Sequence, residues 1–313
     1  MKSALVGFTG FVGSNLTMSK HFDGLYNTKN IEQSYGTNPD LLIYAGIRAE
    51  KFIANKYPEK DLESIKEAIN NIKKINPKTL VLISTIDVYD KPIDVIESTK
   101  ILKDNLLPYG KNRLFLEEWV EENFSNYLIV RLPGLYGINI KKNFIYDMIH
   151  YLPSQLNFDK FKELSIKNKI IDEYYIDQNN GYYKLKLINK DEYSNLKNVF
   201  EKLSYSALNF TDSRGYFQFY NLKYLWMHID LALKNKIKII NLATEPICVN
   251  ELYNKIFETE FINEIQSKPP YYDFKTQFGN LMLSNIDNYI FDKEFILNDI
   301  KQFVEEQHAI INI

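Results

Sequence analysis

The chain has 313 residues and a formal net charge of −2, with 45% hydrophobic and 25% charged residues. This length suits one large α/β domain or two smaller ones, with enough apolar residues for a real core. The near-neutral charge argues against nucleic acid or an anionic membrane surface as a partner.

Two further features of the composition exclude other classes. The single cysteine, Cys248, excludes an intrachain disulfide framework, and the four histidines show no metal-ligand spacing, so we predict no metal site. We expect no signal peptide, and no apolar run reaches the ~18–20 residues that a membrane-spanning helix needs. We therefore predict a cytoplasmic protein with no membrane partner.

Strand-like and helix-like segments alternate through the first half of the chain. Short apolar runs predict strands within residues 3–8, 40–47, 79–86 and 127–134, and helical patterns lie at about 50–74 and 109–123. This alternation predicts a doubly wound parallel sheet with helices on both faces. The runs are almost wholly apolar, as expected for strands that are buried on both sides. Between Tyr26 and Asp40 the chain is too short for a further βαβ unit, so we expect that part of the sheet to be abbreviated.

The pattern changes after about Lys142. Residues 169–187 predict a hairpin with a two-residue turn at Asn180-Gly181. A strand that leads into a helix follows at 216–233, then an apolar strand within 236–246 and a helix from about Val249. The second half is therefore predicted to form a smaller lobe built on the sheet.

The stretch VGFTGFVGSNL carries three glycines, Gly7, Gly10 and Gly13, between the first strand and the first helix. In that context, glycine permits a tight turn, close approach of backbone N–H groups to a pyrophosphate, and close packing of helix on strand. The helix N-terminus adds unpaired donors and the positive end of a dipole. The spacing predicts a cradle for a dinucleotide, and a glycine-rich turn without a ligand is the alternative.

This Gly-x-x-Gly-x-x-Gly spacing resembles that of the extended short-chain dehydrogenase/reductase family, whose members commonly act on nucleotide sugars. Further segments resemble the family in the same order: LLIYAGIRA its fourth strand, LISTIDVYD its fifth strand, PYGKNRLFLEEWV its Tyr-x-x-x-Lys helix and VRLPGLYG its sixth strand. The resemblance implies a Rossmann-like dinucleotide-binding domain at 1–145, completed by later segments near 215–245. Residues 146–313 would mainly form a smaller C-terminal substrate-binding lobe with the hairpin as an insertion.

The resemblance assigns cofactor contacts to the glycine turn and to the ends of four strands. These residues are Gly7, Thr9, Gly10, Phe11, Val12, Gly13, Asn27, Lys29, Ala45, Gly46, Ile47, Arg48, Ser84, Leu132, Pro133 and Gly134. NAD sites of this fold usually carry an acidic residue after the second strand, where this chain has Asn27 and Lys29. The missing carboxylate and the nearby cation favour NADP as the cofactor. NAD is the alternative, because Asn27 can hydrogen-bond a ribose.

The resemblance implies that Thr85, Tyr109 and Arg113 are the catalytic residues. A phenol with an ordinary pKa near 10 is a poor base at neutral pH, and a cation one helical turn away would lower that pKa. The residue at that spacing is Arg113 rather than lysine, and a guanidinium is bulkier and spreads its charge. We interpret Arg113 as a functional replacement, with slowed or absent hydride chemistry as the alternative. Thr85 would hydrogen-bond the reacting oxygen.

Substrate contacts are assigned to Asp87, Asn143 and Arg214. Ile86 stands where the dehydratases that resemble this family carry a carboxylate, so the usual dehydratase acid–base pair is broken. Asp87 would still serve as a base, or else as a capping carboxylate. For Asn143 the alternative is a helix N-cap. For Arg214, whose guanidinium matches a diphosphate, the alternative is an ordinary surface arginine.

These features together predict an NAD(P)-dependent nucleotide-sugar reductase or epimerase that acts at a sugar carbonyl or hydroxyl carbon, with Tyr109 as the acid–base. A protein that binds cofactor or sugar nucleotide with weak or lost catalysis is the second hypothesis. It is motivated by Arg113 and by Gly134, where many relatives carry asparagine. A dehydratase is the third. Helices at 50–74 and 109–124 resemble those that pair in the family's homodimers, so we predict a homodimer. The resemblance also implies a role in supplying activated sugars for surface polysaccharides.

Overall fold

The structure is a computed structural model that describes residues 2–282 and 286–311. Its strands are β1 (Ser3–Val6), β2 (Gly24–Tyr26), β3 (Leu41–Tyr44), β4 (Thr79–Thr85), β5 (Tyr127–Leu132), β6 (Gly134–Tyr136), β7 (Gln155–Asn157), β8 (Tyr175–Asp177), β9 (Tyr182–Leu185), β10 (Tyr216–Phe217), β11 (Phe219–Asn221), β12 (Ile239–Asn241) and β13 (Ile247–Cys248). Its α-helices are α1 (Phe11–Ser19), α2 (Lys51–Lys56), α3 (Pro58–Ile75), α4 (Pro108–Asn123), α5 (Phe144–Ile149), α6 (Phe158–Lys167), α7 (Ile170–Tyr174), α8 (Lys190–Lys202), α9 (Leu225–Lys234), α10 (Val249–Phe257) and α11 (Lys293–Ile311). Within the described residues, no helix combines the length and the apolar character that crossing a membrane requires.

The main sheet has six strands in the order β12-β5-β4-β3-β1-β2, and every neighbouring pair is parallel. The predicted doubly wound, Rossmann-like α/β fold is therefore confirmed. Between β2 and β3 lies a short 3-10 turn, Ile31–Ser34, in place of a full helical crossover. This confirms the abbreviated connection.

Both faces of the sheet are buried, which explains why its strands are almost wholly apolar. On one face Leu5 packs in a core with Leu16 of α1 and Ile229 of α9. On the other face Val6 packs with Ile72 of α3. These side chains are at most 3% exposed, and they alternate because successive strand residues point to opposite faces.

Two local predictions were wrong. The helix expected over 50–74 is two helices, because Tyr57 precedes Pro58 and adopts a non-helical ψ of 68°. The hairpin of β8 and β9 forms as predicted, but its loop has three residues, 179–181, since the Gln178 N–H donates to the Tyr182 carbonyl.

The chain divides into two compact units. The sheet unit comprises Met1–Ile140, Tyr216–Ile247 and Tyr271–Asn298. It thus includes segment 271–298, which the sequence analysis placed in the lobe. The second unit comprises Lys141–Gly215, Cys248–Pro270 and Asp299–Ile313, and it contains an antiparallel sheet in the order β7-β9-β8.

Candidate active site

The glycine turn between β1 and α1 leaves no room for a side chain at two of its glycines. Gly7 has a φ of +92°, and a Cβ there would lie 2.4 Å from the carbonyl oxygen of Ala45. A Cβ on Gly13 would lie 2.1 Å from the carbonyl oxygen of Gly7. Gly7 therefore supplies the backbone direction, and Gly13 allows the helix to pack closely on the strand.

The start of α1 fits an anion. Gly10 is its N-cap and offers no capping side chain, and the first turn contains no acidic residue. The first N–H groups of a helix have no acceptor within the helix, and they lie at the positive end of its dipole. Exposed Thr9 and half-buried Phe11 and Val12 flank this start. The uncapped helix start with no acidic residue in its first turn therefore fits the pyrophosphate of a dinucleotide.

The ends of β2 and β3 lie beside the same turn. The Gly7 N–H donates to the Tyr26 carbonyl at 2.7 Å, and the Ala45 N–H donates to the Val6 carbonyl at 2.9 Å. A Cβ on Gly7 would also lie 2.8 Å from the Gly46 nitrogen. The structure therefore brings together two segments that the sequence analysis assigned to the cofactor.

The residues expected near the adenosine end are mostly accessible. The side-chain oxygen of Asn27 accepts a hydrogen bond from the Lys29 N–H at 2.9 Å, which shapes the loop after β2. Lys29 and Arg48 are exposed, and Ile47 is half-buried. No carboxylate stands at position 27 or 29, so a phosphate on the ribose would meet a cation rather than an acid.

Thr85 and Tyr109 meet where β4 ends and α4 begins. The approach is close because Gly110 has no side chain: a Cβ there would lie 2.0 Å from the Asp87 carbonyl oxygen. The Thr85 side chain lies close enough to the Tyr109 phenol to lower its pKa, and the Tyr109 N–H donates to the Asn55 side-chain oxygen at 2.9 Å. The two residues predicted to handle the reacting oxygen therefore lie together.

Burial is the main influence on the pKa of Tyr109, which is only 6% exposed. Burial raises the pKa of Tyr109 above its ordinary value, and the Asp87 carboxylate raises it further. Arg113, the Thr85 hydrogen bond and Lys51 lower the pKa, but they do not outweigh burial. The expectation of a phenol that Arg113 brings below its ordinary pKa is therefore wrong in its net direction.

Arg113 is occupied by a partner that sequence reasoning missed. Its guanidinium makes a two-pronged ion pair with Asp61 of α3 at 2.9 and 3.1 Å, and it donates to the Arg48 carbonyl at 2.8 Å. The guanidinium carbon lies 4.5 Å from the centroid of the Tyr109 ring, over its face. Arg113 therefore packs against the face of the Tyr109 ring and joins α4 to α3. Its charge is largely matched by Asp61.

A second cation, Lys51 of α2, was also missed. Its ammonium lies 2.6 Å from an Asp87 carboxylate oxygen, and Tyr272 lies close enough to affect its pKa. Burial lowers the pKa of Lys51, but Asp87 and Tyr272 outweigh burial and raise the pKa above its ordinary value. No motif surrounds Lys51 in the sequence, and only the fold brings α2 next to the end of β4.

A cavity of about 210 Å³ opens at this edge of the sheet. It is lined by Thr85, Ile86, Asp87, Leu132, Pro133, Gly134, Phe217, Gln218, Tyr272 and Phe274. A Cβ on Gly134 would lie 2.9 Å from the Gln218 carbonyl oxygen, so the side chain that many relatives carry at this position would not fit. Gly134 is thus explained by the close packing of β6 on β11.

Ser84 differs from the other predicted cofactor residues because its side chain is used in the core. Its hydroxyl donates to the buried Glu117 carboxylate. Glu117 also pairs with Arg131 at 2.6 Å. The cofactor contact predicted for Ser84 would therefore have to come from its backbone.

The two remaining predicted substrate residues lie in the second unit. Asn143 is the N-cap of α5, and its side-chain oxygen accepts from the Ile145 N–H at 3.0 Å, as the N-cap alternative predicted. Arg214 pairs with Asp212 and Glu264, each at 2.9 Å. These two carboxylates already neutralise the Arg214 guanidinium, which weighs against a diphosphate contact.

Comparison with known proteins places the fold in one class. No protein-family model matches the chain, and no curated protein matches it either. Among solved structures, the chain shares its fold with reductases and epimerases of nucleotide sugars.

A dTDP-4-dehydrorhamnose reductase from Bacillus anthracis, in complex with NADP, has 17% identity and a TM-score of 0.63 over 97% of this chain and 100% of that chain. A UDP-N-acetylglucosamine 4-epimerase from Methanobrevibacter ruminantium, in complex with UDP-N-acetylmuramic acid, has 13% identity and a TM-score of 0.61 over 100% of this chain and 99% of that chain. A UDP-glucose 4-epimerase from Thermotoga maritima, with UDP-glucose, has 12% identity and a TM-score of 0.60 over 97% and 98% of the two chains. At these identities the likeness concerns the fold.

Proposed function

We propose that this protein is an NADP(H)-dependent reductase or epimerase that acts at a carbonyl or hydroxyl carbon of a nucleotide sugar. One observation carries the proposal: the glycine turn after β1 and the Thr85–Tyr109 pair after β4 lie at the carboxyl edge of one parallel sheet. Ligands of open α/β sheets bind at that edge. The shared fold with an NADP-bound nucleotide-sugar reductase supports the same function.

The residues suggest a simple division of work. A bound nicotinamide supplies or accepts the hydride. In reduction, Tyr109 donates its phenol proton to the carbonyl oxygen, and in oxidation the phenolate takes a proton from the hydroxyl. Thr85, which lies near the phenol, hydrogen-bonds and orients the same oxygen. Since burial raises the pKa of Tyr109 above its ordinary value, the phenol is protonated at neutral pH, the form that the reductive step requires.

The choice of NADP over NAD rests on the loop after β2. Exposed Lys29 provides a cation for a ribose phosphate, and Asn27 stands where NAD sites usually carry an acid. NAD remains the alternative, because an asparagine can also hydrogen-bond ribose hydroxyls.

The cavity supports a sugar as substrate. Its volume of about 210 Å³ is below the roughly 300–1,000 Å³ of pockets that enclose a drug-sized ligand, so it has room for one ring. Phe217 and Tyr272 stack on each other with centroids 5.6 Å apart and offer an apolar wall, whereas Asp87 offers a polar one. Asn143 is retained as a proposed substrate contact.

Three broader proposals accompany this function. The protein is cytoplasmic, where nicotinamide cofactors and nucleotide sugars are available, and its product feeds polysaccharide synthesis. It forms a homodimer through the helices near 50–74 and 109–124. Glu63, Lys66 and Glu67 are exposed on α3, so such a dimer would depend on salt, which light scattering at low and high ionic strength would detect.

The decisive experiment titrates purified protein with NADPH and NADH, following cofactor fluorescence. Uptake of NADPH, with weaker uptake of NADH, is the expected result. Nucleoside-diphospho-4-keto sugars are then added, and loss of the reduced cofactor is followed by absorbance. A reductase consumes NADPH, and an epimerase changes the sugar without net consumption. If neither cofactor binds, the proposed function is wrong.

The Gly13→Ala substitution tests the cradle directly. The new Cβ would meet the Gly7 backbone at 2.1 Å, and backbone cannot rotate away as a side chain can. Overpacking of this kind costs roughly 1–3 kcal/mol, so we expect about a tenfold or larger loss of NADPH affinity. Gly36→Ala is the control: its Cβ meets nothing within 4 Å and it lies outside the turn, although its φ of +68° adds a backbone strain that Gly13 does not have. Equal NADPH affinity of the two variants would contradict a cofactor role for this turn.

A further inference from the structure

Two cations lie close enough to Tyr109 to favour its phenolate, and they differ in accessibility. The Arg113 side chain is 5% exposed, lies over the ring face and is paired with Asp61. The Lys51 side chain is 42% exposed. Arg113 thus belongs to the packed core beneath the ring, whereas Lys51 stands at the open edge of the site.

The short helix α2 is fastened to the catalytic residues at two points. The Asn55 side chain accepts the Tyr109 N–H at 2.9 Å. One turn earlier on the same helix, the Lys51 ammonium reaches the Asp87 carboxylate at 2.6 Å, with Tyr272 nearby. Asp87 and Tyr272 both line the cavity, so the ammonium lies between two of its walls.

Asp87 needs such a partner because of its position. Its N–H donates to the Thr85 hydroxyl oxygen at 3.2 Å, and its carboxylate lies 3.5 Å from the same oxygen. An unmatched carboxylate here would compete for the Thr85 hydroxyl and would repel negative charge on the Tyr109 phenol or on the reacting oxygen.

We propose that Lys51 is a positioning residue of the catalytic site: its ammonium holds the Asp87 carboxylate and offsets the negative charge that this carboxylate would place beside the Tyr109 phenol and the reacting oxygen. The inference rests on the proposed function, since it takes Tyr109 as the acid–base. It concerns a residue of α2 rather than one on the tyrosine's own helix.

The other cation near the phenol acts from a different place. Arg113 also lowers the pKa of the Tyr109 phenol, but it lies over the ring face in a buried pair with Asp61 and makes no bond to Asp87. The Lys51–Asp87 pair can therefore be unbalanced by changing one accessible residue, with the packing under the Tyr109 ring left intact.

The test reads the phenol alone. 3,5-Difluorotyrosine, whose phenol ionises at lower pH than that of tyrosine, is placed at position 109, and its titration is followed by ¹⁹F NMR. In the Lys51→Met background the titration midpoint is expected to move to higher pH. In Asp87→Asn it is expected to move to lower pH. The double variant Lys51→Met/Asp87→Asn should fall between the two, and Lys51→Arg should restore the original midpoint.

The control is Lys56→Met, which removes an exposed lysine from the same helix and should leave the midpoint unchanged. A midpoint in Lys51→Met that equals that of Lys56→Met, or lies below it, overturns the proposal. If Lys51→Met fails to fold, as judged by circular dichroism, the Asp87→Asn and Lys51→Arg titrations decide. An unmoved midpoint in Asp87→Asn, or a displaced one in Lys51→Arg, then overturns the proposal.

The two hypotheses fail separately. NADPH titration of the same variants measures cofactor binding, and loss of binding in every form would contradict the proposed function only. An unshifted ¹⁹F midpoint in protein that binds NADPH would contradict only the role of Lys51.

Discussion

Replacement of Tyr109 by phenylalanine is expected to lower the turnover of a nucleotide-sugar substrate by about 10²–10⁴-fold, the range that a positioned acid–base usually contributes. NADPH affinity should stay unchanged, because the pyrophosphate site proposed above is formed by the glycine turn and not by the phenol. Stability should change little, since the ring keeps its place under Arg113. Turnover and cofactor binding are measured on the same preparations.

Tyr35→Phe is the matched control. Tyr35 also has a hydroxyl hydrogen bond, to Asn71 at 2.8 Å, but it precedes β3 and lies outside the cavity lining. Full turnover in this variant, with loss in Tyr109→Phe, would tie the effect to one phenol. Equal turnover of both variants would contradict Tyr109 as the acid–base.

The pH dependence has a definite sign. Because burial raises the pKa of Tyr109 above its ordinary value near 10, its protonated form persists through neutral pH. Reduction needs the protonated phenol, so ionisation of Tyr109 should not slow it until the pH exceeds that raised pKa. Oxidation needs the phenolate, so its rate should rise with pH over the same range. A decline of reduction between pH 6 and 8 would have to come from another group.

The fold could be predicted because local signals agreed with global packing. β3 is apolar along its whole length and β4 is apolar from Leu80 to Ile83, which occurs when both faces of a parallel sheet are covered. The helix boundary at Pro58 was also readable in principle, since a proline disfavours helical backbone before it. The length of the hairpin loop was harder to predict. Asn179, with a φ of 54°, and Gly181 both adopt a positive φ. The sequence Asn-Asn-Gly at 179–181 was compatible with a loop that begins at either asparagine.

The parts of the site that come from one short stretch of sequence could be predicted from the spacing of their residues. Gly7 and Gly13 are needed for backbone reasons, and Tyr109 follows a helix start at Pro108 with Gly110 beside it. These features are local, so one sequence reveals them.

The partners of the site were not predictable, because they come from elements far apart in the chain. Asp61 neutralises Arg113 from 52 residues away, and Lys51 reaches Asp87 across 36 residues. Without Asp61 in view, Arg113 was interpreted as the cation that activates the phenol. The fold instead divides the work between a buried arginine that supports the ring and an accessible lysine near the carboxylate.

Replacement of Arg131 by methionine is expected to destabilise the protein by about 3–5 kcal/mol, because it would leave a buried carboxylate without its partner. The Arg131 and Glu117 side chains are 4% and 2% exposed, and the guanidinium also donates to the Tyr89 hydroxyl at 2.7 Å. Urea unfolding measures the loss. At this buried position a methionine fills much of the volume of arginine but cannot neutralise the charge of the Glu117 carboxylate.

This pair also supports the site above it. Ser84 lies opposite Arg131 in the pairing of β4 with β5, and the next pair in register is Thr85 with Leu132, both of which line the cavity. The ion pair therefore fixes two strand ends one residue before they contribute to the site. Arg131→Met should lose turnover as well as stability, even though the Arg131 guanidinium faces the core.

The double variant Arg131→Met/Glu117→Leu separates the charge from the packing. If the unmatched carboxylate causes the loss, removing it as well should restore most of the stability, since buried ion pairs are often replaceable by apolar residues of similar volume. Lys234→Met breaks an exposed pair with Asp230, which should matter little because such pairs contribute about 0–1 kcal/mol. A double variant that is as unstable as Arg131→Met would show that the unmatched Glu117 carboxylate is not the cause, and that loss of the Arg131 bond to the Tyr89 hydroxyl, which occurs in both proteins, accounts for the destabilisation.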